Sequence, residues 1–177
     1  MKLQYKIFLI VFIFFNSQSF SFAQYPHYVD FKYVLNESKA GKDAQLFLKK
    51  KLDNGIKNLK NKEKSIQEEE KKIIQQKKLV SAEEYKKKVN ALRQKVSSLQ
   101  KERDKLLDTV AKQRSKARIE LLKNLNPIIK DYMKEKKIRI VLDKKSILLA
   151  DENLDITKEI TDLLNKNLKS IKLNWFN

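Results

Sequence analysis

Two series of apolar residues recur through the middle of the chain, mostly in steps of three and four with some places skipped. Such steps are heptads, the pattern of helices that pack along a narrow seam. The sequence therefore predicts two long helices, each with one apolar stripe. The first stripe is Leu52, Ile56, Leu59, Ile66, Ile73 and Val80, and the second is Tyr85, Val89, Leu92, Val96, Leu99, Leu106 and Val110.

The residues between the two stripes predict that the helices fold back on each other. Ser81 and Glu84 have the spacing of a capping box, which satisfies the free backbone amides at the start of a helix. Each helix would have about 35 residues and a length of ~50 Å. Two heptad helices that meet at a capped break favour an antiparallel hairpin over a single uninterrupted rod.

Polar residues occupy the skipped places in both stripes. Glu63, Glu70, Lys77 and Arg103 stand where a stable coiled coil prefers Leu or Ile. We therefore expect polar interruptions within the seam and weakly zipped helices.

The apolar face of the second helix widens beyond the second stripe, which predicts that this helix enters a globular body. A short strand is predicted at 28–31. Two nearly continuous apolar runs, 138–142 and 147–150, predict a β-hairpin with a turn at 143–146 and with both faces covered. Asp155 is expected to cap a final helix that begins at the next residue.

These elements define an α+β fold class, mostly α: a long antiparallel helical hairpin (coiled-coil arms) on a small β-containing oligomerisation body. A body of about 80 residues is marginally stable alone, and its strand edges are open. Assembly of several chains through the strands would bury apolar surface and cover those edges. The predicted parts are a signal peptide at 1–23, the body at 24–45 and 119–177, and the helical-hairpin arm at 46–118; the predicted interface residues are Val29, Phe31, Ile140, Leu142, Ile147 and Leu149.

The first residues have the features of an export signal. Lys2 and Lys6 precede an apolar run at 7–15, and Ser21-Phe22-Ala23 fits the small-x-small pattern that a signal peptidase accepts. The apolar run is well short of the roughly 20 residues that a membrane anchor needs. We therefore predict cleavage after Ala23 and export of the mature protein.

Few residues of the chain are suited to catalysis or metal binding. The chain has no cysteine, which excludes thiol catalysis and Cys-bound metals, and its only histidine, His27, has no second histidine or carboxylate cluster near it in sequence. Asp143, Asp151 and Asp155 are explained by turns and helix caps. We expect neither an enzyme nor a cofactor.

The charge of the chain favours anionic partners. The formal net charge is +18, or +16 without the signal peptide, and residues 57–118 contain 20 Lys or Arg against 9 Asp or Glu, a net charge of +11. Nucleic acid, anionic lipid headgroups and acidic polypeptides would all suit such a surface. Export argues against nucleic acid, and charge alone does not choose between a membrane surface and a polypeptide.

Three segments together resemble the Skp/OmpH family of periplasmic chaperones. They are VDFKYVLNESKAGKDAQ at 29–45, VSAEEYKKKV at 80–89 and IRIVLDKKSILLADENLDITKEITDLLN at 138–165. The resemblance implies a homotrimer whose bodies join through β-strands and whose helical arms surround a cavity. It also implies that unfolded outer-membrane proteins are captured there without ATP.

The resemblance and the charge together suggest where such clients would bind. Positive charge would speed their encounter, and apolar residues along and near the tip of the arm could add short-range contacts. Val80 and Tyr85 have an alternative role in packing the seam at the turn. A structural envelope coiled coil, or a basic coiled coil that binds nucleic acid or anionic lipid, remains the alternative function. The predicted client-binding residues are Lys77, Lys78, Leu79, Val80, Tyr85, Lys86, Lys87 and Lys88.

Overall fold

The computed structural model describes residues 25–173, so the predicted signal peptide and residues 174–177 lie outside the described part. Within it, helices dominate and a two-stranded parallel sheet is the small β part, as the predicted fold class requires. None of the helices in 25–173 combines the length and apolar character needed to span a bilayer. In chain order the elements are β1 (His27–Val29), α1 (Phe31–Glu37), α2 (Lys39–Gln76), α3 (Ala82–Glu135), β2 (Val141–Asp143) and α4 (Thr157–Asn167), with 3-10 turns at Lys144–Ser146 and Glu152–Leu154.

Side-chain caps determine where the long helices begin. Ser81 Oγ accepts a hydrogen bond from the Glu84 backbone amide at 3.2 Å, as the capping-box spacing predicts. Ser38 is fully buried and caps α2 in the same way, through the amide of Gly41. The long helices α2 and α3 pack against each other as the predicted antiparallel hairpin.

The corner between α1 and α2 requires glycine at one position. A Cβ atom at Gly41 would lie 2.0 Å from the backbone carbonyl oxygen of Leu35 and 2.9 Å from Ser38 Oγ. Because one of these neighbours is backbone, a side chain here would force the two helices apart.

The core of the body forms where the inner end of α3 packs against α1, α4 and β1. Leu125, Ile160 and Leu164 have no exposed surface. α3 continues through Pro127 to Glu135, which brings its last turns into this core. The buried cluster consists of Val29, Val34, Ala40, Leu121, Leu125, Ile129, Ile156, Ile160 and Leu164.

The sheet joins the two ends of the body. His27 pairs with Val141 and Tyr28 with Leu142 in parallel register. Tyr28 also forms an isolated parallel bridge with Asp155, and its carbonyl accepts a hydrogen bond from the Ile156 amide at 2.9 Å. The first strand therefore lies between two later segments of the chain.

The predicted β-hairpin is wrong in the single chain. Only Val141–Asp143 forms a strand, Lys144–Ser146 is a 3-10 turn, and residues 147–150 form no strand. Asp143 is one reason, since its carboxylate accepts the Lys145 amide at 3.2 Å and starts the 3-10 turn. The predicted burial of both faces is also wrong, because Leu148 and Leu149 are 102% and 91% exposed.

Two smaller boundary predictions also differ from the structure. The first strand lies at His27–Val29 rather than 28–31, because Asp30 accepts the Tyr33 amide at 2.8 Å and starts α1 at Phe31. α4 begins at Thr157, one residue later than predicted, although Asp155 does accept the Thr157 amide at 2.9 Å.

Candidate functional site

The seam of the hairpin contains one well-covered apolar residue per heptad from each helix. Leu59 and Ile73 are buried, and Ile66 is half-buried between them. The corresponding residues of α3 are half-buried, and all three are seam positions that the sequence predicted. They are Leu92, Leu99 and Leu106.

Two predicted seam residues lie at the edge of the seam instead. Ile56 and Val96 are 50% and 51% exposed. Gly55 explains part of the difference, because a Cβ atom there would lie 2.6 Å from Leu106 Cδ2. Leu106 packs directly on the backbone of α2 at Gly55, so the two helices meet beside Ile56 rather than over it.

The polar residues predicted within the seam are also found at its edge. Glu63, Glu70, Lys77 and Arg103 are all exposed, and Glu63 and Arg103 approach to 4.0 Å across one side of the hairpin. The prediction of polar interruptions inside the seam is therefore wrong. A strictly seven-residue spacing of the covered residues leaves these positions at one flank.

The opposite flank is bridged by ion pairs and a hydrogen bond, and we call it the ladder face. Lys62 Nζ lies 2.6 Å from Glu102 Oε2. One heptad further out, Lys95 Nζ lies 2.5 Å from Glu69 Oε2. The ladder face is defined by Lys62, Glu69, Gln76, Lys88, Lys95 and Glu102, where Lys88 Nζ donates to Gln76 Oε1 at 2.8 Å.

The tip of the hairpin exposes one large apolar side chain among lysines. Leu79 is 81% exposed, whereas Val80 and Tyr85 are half-buried, which agrees with their alternative role in packing the turn. The sequence predicted that these three apolar residues lie together at the tip, and the structure has Lys77 and Lys78 in the same turn as Leu79.

Only some of the tip lysines carry uncompensated charge. Lys87 pairs with Glu83, and Lys88 pairs with Glu84, each at 3.1 Å. Within residues 25–173, no carboxylate lies within ion-pair distance of the remaining three. These are Lys77, Lys78 and Lys86.

The predicted interface residues divide into exposed and buried ones. Ile140, Leu142 and Leu149 are exposed, so they are available to another chain. Val29 is fully buried in the core of its own chain, and its strand is flanked by β2 on one side and by the Asp155 segment on the other. Phe31 and Ile147 are half-buried.

One exposed apolar residue in this region was missed by the sequence analysis. Leu148 is completely exposed and lies beside Leu149. The signal was present, since Leu148 belongs to the apolar run at 147–150, but it was interpreted as the buried face of a strand.

The aspartates of the body have structural partners. Partial burial alone would raise the pKa of Asp155, but hydrogen bonds from Thr157 and Lys144 outweigh it and hold that pKa below its ordinary value. Asp151 accepts the Asn153 amide at 2.9 Å. These partners match the turn and cap roles that the sequence predicts.

The described residues were also searched for metal ligands. Residues 25–173 contain no group of three or more His, Cys, Asp or Glu side chains arranged to hold a metal ion. His27 Nδ1 lies 3.1 Å from the Tyr25 carbonyl oxygen, so the histidine contacts the adjacent backbone.

This geometry defines a class of proteins in which a long basic helical hairpin extends from a small body of helices and strands. The family described as Outer membrane protein (OmpH-like) matches residues 27–164, and the chain belongs to that family. The resemblance noted from the sequence is thereby confirmed, and membership supports a chaperone role.

A solved structure has the same fold. The crystal structure of an OmpH-like outer membrane chaperone from Caulobacter crescentus superposes with a TM-score of 0.78 at 19% identity, over 84% of this chain and 89% of that one. At this identity the likeness shows the shared fold. A comparison with curated proteins finds no match.

Proposed function

We propose that this chain is an ATP-independent periplasmic holdase, which binds unfolded outer-membrane proteins between basic helical arms and prevents their aggregation. The observation that carries the proposal is the hairpin itself. Residues 57–118 have a net charge of +11 and lie largely outside the packed core of the body. Membership of the OmpH-like family supports the chaperone role.

The charge of the arm suits capture followed by passive release. Positive charge acts over about 10 Å at 0.1 M salt, so it raises the encounter rate with an acidic unfolded chain. Lys77, Lys78 and Lys86 at the tip are free to interact with such a chain. Weak contacts spread along an arm can be broken one at a time, which suits release without an energy source.

A cavity between arms requires several copies of the chain, and we propose a homotrimer joined through the bodies. Ile140, Leu142, Leu148 and Leu149 are exposed apolar residues at or near β2. Large exposed apolar side chains concentrated in one region of a protein often mark a contact with another protein. The double change Ile140→Asp with Leu149→Asp should therefore yield monomers in light scattering, and a monomeric unaltered protein would refute this architecture.

Dilution of a urea-unfolded outer-membrane porin tests the chaperone activity directly. The protein beginning at Gln24 should suppress light scattering by the porin without any nucleotide. A structural spacer or a coiled coil specific for nucleic acid would give no such protection, so absence of protection refutes the proposal.

A matched pair of charge-reversal variants tests the role of the tip. Reversal of five tip lysines to Glu should weaken protection, most strongly at low salt. Reversal of five exposed body lysines makes the same change in net charge and should leave protection unchanged. Equal loss in both variants would contradict a specific role of the tip. The tip set is Lys77, Lys78, Lys86, Lys87 and Lys88, and the body set is Lys32, Lys123, Lys130, Lys134 and Lys166.

Exposed Leu79 beside unpaired lysines also suits an anionic membrane surface. Flotation with vesicles of anionic or zwitterionic lipid tests this second candidate. Binding to anionic vesicles that is lost in Leu79→Gln, in a protein that gives no porin protection, would favour the membrane over the polypeptide as partner.

A further inference from the structure

We call the flank of the hairpin opposite the ladder face the open face. The contact between Glu63 and Arg103 lies on this flank and identifies it. Ile56 and Val96 stand one heptad before these two residues, so they lie on the same side. The open face is defined by Ile56, Lys60, Glu63, Gln67, Glu70, Ile74, Lys77, Lys86, Val89, Arg93, Val96, Gln100, Arg103, Leu107 and Val110.

All the exposed large aliphatic residues of the helical arm between 50 and 118, outside the tip turn, lie on the open face. Ile74 follows Glu70 by four residues and Leu107 follows Arg103 by four, and residues at this spacing are neighbours on one side of a helix. These side chains are 50% to 59% exposed. The four are Ile56, Ile74, Val96 and Leu107.

The antiparallel register divides these residues into two clusters. Lys62 is level with Glu102, and Glu69 is level with Lys95. Counting from those pairs, Leu107 is level with residue 57. Leu107 and Ile56 therefore lie side by side and form a root cluster. Val96 is level with residue 68, about six residues or ~9 Å from Ile74, and these two form a looser tip cluster. At 1.5 Å per residue the clusters are ~20 Å apart, and the Glu63–Arg103 contact lies between them.

Free positive charge occurs on both sides of the hairpin, because exposed Lys72 and Lys105, seven residues after Ser65 and Ser98 on the ladder side, have no carboxylate of residues 25–173 within ion-pair distance. The exposed aliphatic residues, rather than the charge, therefore distinguish the two faces.

On the ladder face Lys62 and Lys95 are paired with carboxylates across the hairpin. On the open face, no carboxylate of residues 25–173 lies within ion-pair distance of four cations, and Glu70 is the one acid there without a cationic partner. An excess of positive charge therefore surrounds the apolar clusters. The four cations are Lys60, Lys77, Lys86 and Arg93.

We propose that the open face, rather than the ladder face, is the surface of the arm that contacts the client. Its occupant is an unfolded polypeptide of net negative charge, bound at two apolar clusters ~20 Å apart. An extended chain covers that distance in about six residues at ~3.3 Å per residue. A single barrel strand of about ten residues is therefore long enough to reach both clusters. This inference rests on the proposed holdase function and assigns the face that performs it.

Photo-crosslinking distinguishes the two faces without removing any contact. A benzophenone amino acid is placed at Gln67 or Gln100 on the open face, or at Ser65 or Ser98 beside the ladder face, which are exposed positions at matched heights along the arm. With urea-diluted porin as the probe, the open-face positions should give several-fold more crosslinked product. Equal yields from both faces would overturn the proposal.

A matched pair of substitutions tests the apolar contribution. Leu107→Gln and Ile119→Gln each remove an exposed aliphatic side chain from α3, 53% and 63% exposed respectively. Ile119 stands three heptads after Ser98 and so lies on the ladder side. Gln is a good helix former, so both variants should keep the circular-dichroism melting curve of the unaltered protein. Leu107→Gln should raise the concentration for half-maximal protection about threefold, and Ile119→Gln should leave it unchanged.

The combined variant separates this inference from the proposed function. Replacing all four open-face aliphatics by Gln should raise the half-maximal concentration by more than about tenfold. If the unaltered protein protects the porin and the combined variant protects equally well, the open face is not the contact surface although the holdase function stands. If the unaltered protein gives no protection, both proposals fail. The variant is Ile56→Gln, Ile74→Gln, Val96→Gln and Leu107→Gln.

Discussion

Replacement of Gln113 by leucine should stabilise the protein. Gln113 is only 6% exposed, and its Oε1 has no hydrogen-bond partner among the described residues. It stands one heptad after Leu106, so it occupies a seam position facing α2 at the root of the arm. A buried polar atom without a partner costs ~1–3 kcal/mol.

The size of the gain follows from the two side chains. Leucine is similar in length and bulk to glutamine, so it should fit the seam without large repacking. Removal of the unpartnered oxygen and burial of an apolar side chain should together raise the free energy of unfolding by ~1 kcal/mol or more. For a chain of this length, that corresponds to a rise in Tm of about 2–4 °C.

Thermal and urea unfolding followed by circular dichroism measure this change, at one fixed protein concentration because assembly alters apparent stability. Gln100→Leu is the control, since Gln100 is exposed on the same helix and should leave the Tm nearly unchanged. A Tm that is unchanged or lower in Gln113→Leu would show that the buried amide is satisfied in solution and would refute the reasoning.

Three further predictions concern the body. Gly41→Ala should destabilise the protein by ~2 kcal/mol or more, seen as a lower urea midpoint, because the new Cβ meets a backbone oxygen at 2.0 Å. Lys137→Gly should stabilise it by up to ~1 kcal/mol, since Lys137 has a left-handed backbone with φ of 57° after α3; an unchanged Tm would contradict this. The lowered pKa of Asp155 contributes stability that is present above its ordinary value of 3.8 and lost as pH falls through the lower folded value. Asp155→Asn should therefore show a smaller loss of urea midpoint between pH 7 and pH 3, and an identical loss would count against it.

Much of the fold could be predicted from local pattern. Heptad spacing identified both long helices, and the pairing of Ser81 with Glu84 located the hairpin tip, because these signals depend on residues within a few turns of each other. The excess of lysine along the arm could be counted from the sequence without any structural information. The same short-range signals located the candidate client-binding residues at the tip.

The boundary errors at β1 and α4 amount to one or two residues. The larger errors involve burial, which depends on distant residues. A run of apolar residues at 147–150 does not say whether it is covered by its own chain, and Leu148 and Leu149 are left exposed. Heptad spacing likewise did not reveal that Gly55 would bring Leu106 onto the backbone of α2 and leave Ile56 at the edge.

The sequence by itself determined that this chain forms two long amphipathic helices joined at a capped turn, with a strongly basic surface. Only the tertiary structure decided which side of the hairpin is closed by ion pairs and which side exposes aliphatic residues. Lys62 and Glu102 are forty positions apart in sequence, and their 2.6 Å contact exists only in one register of α2 against α3. That register is set by packing across the whole seam, which no local pattern contains.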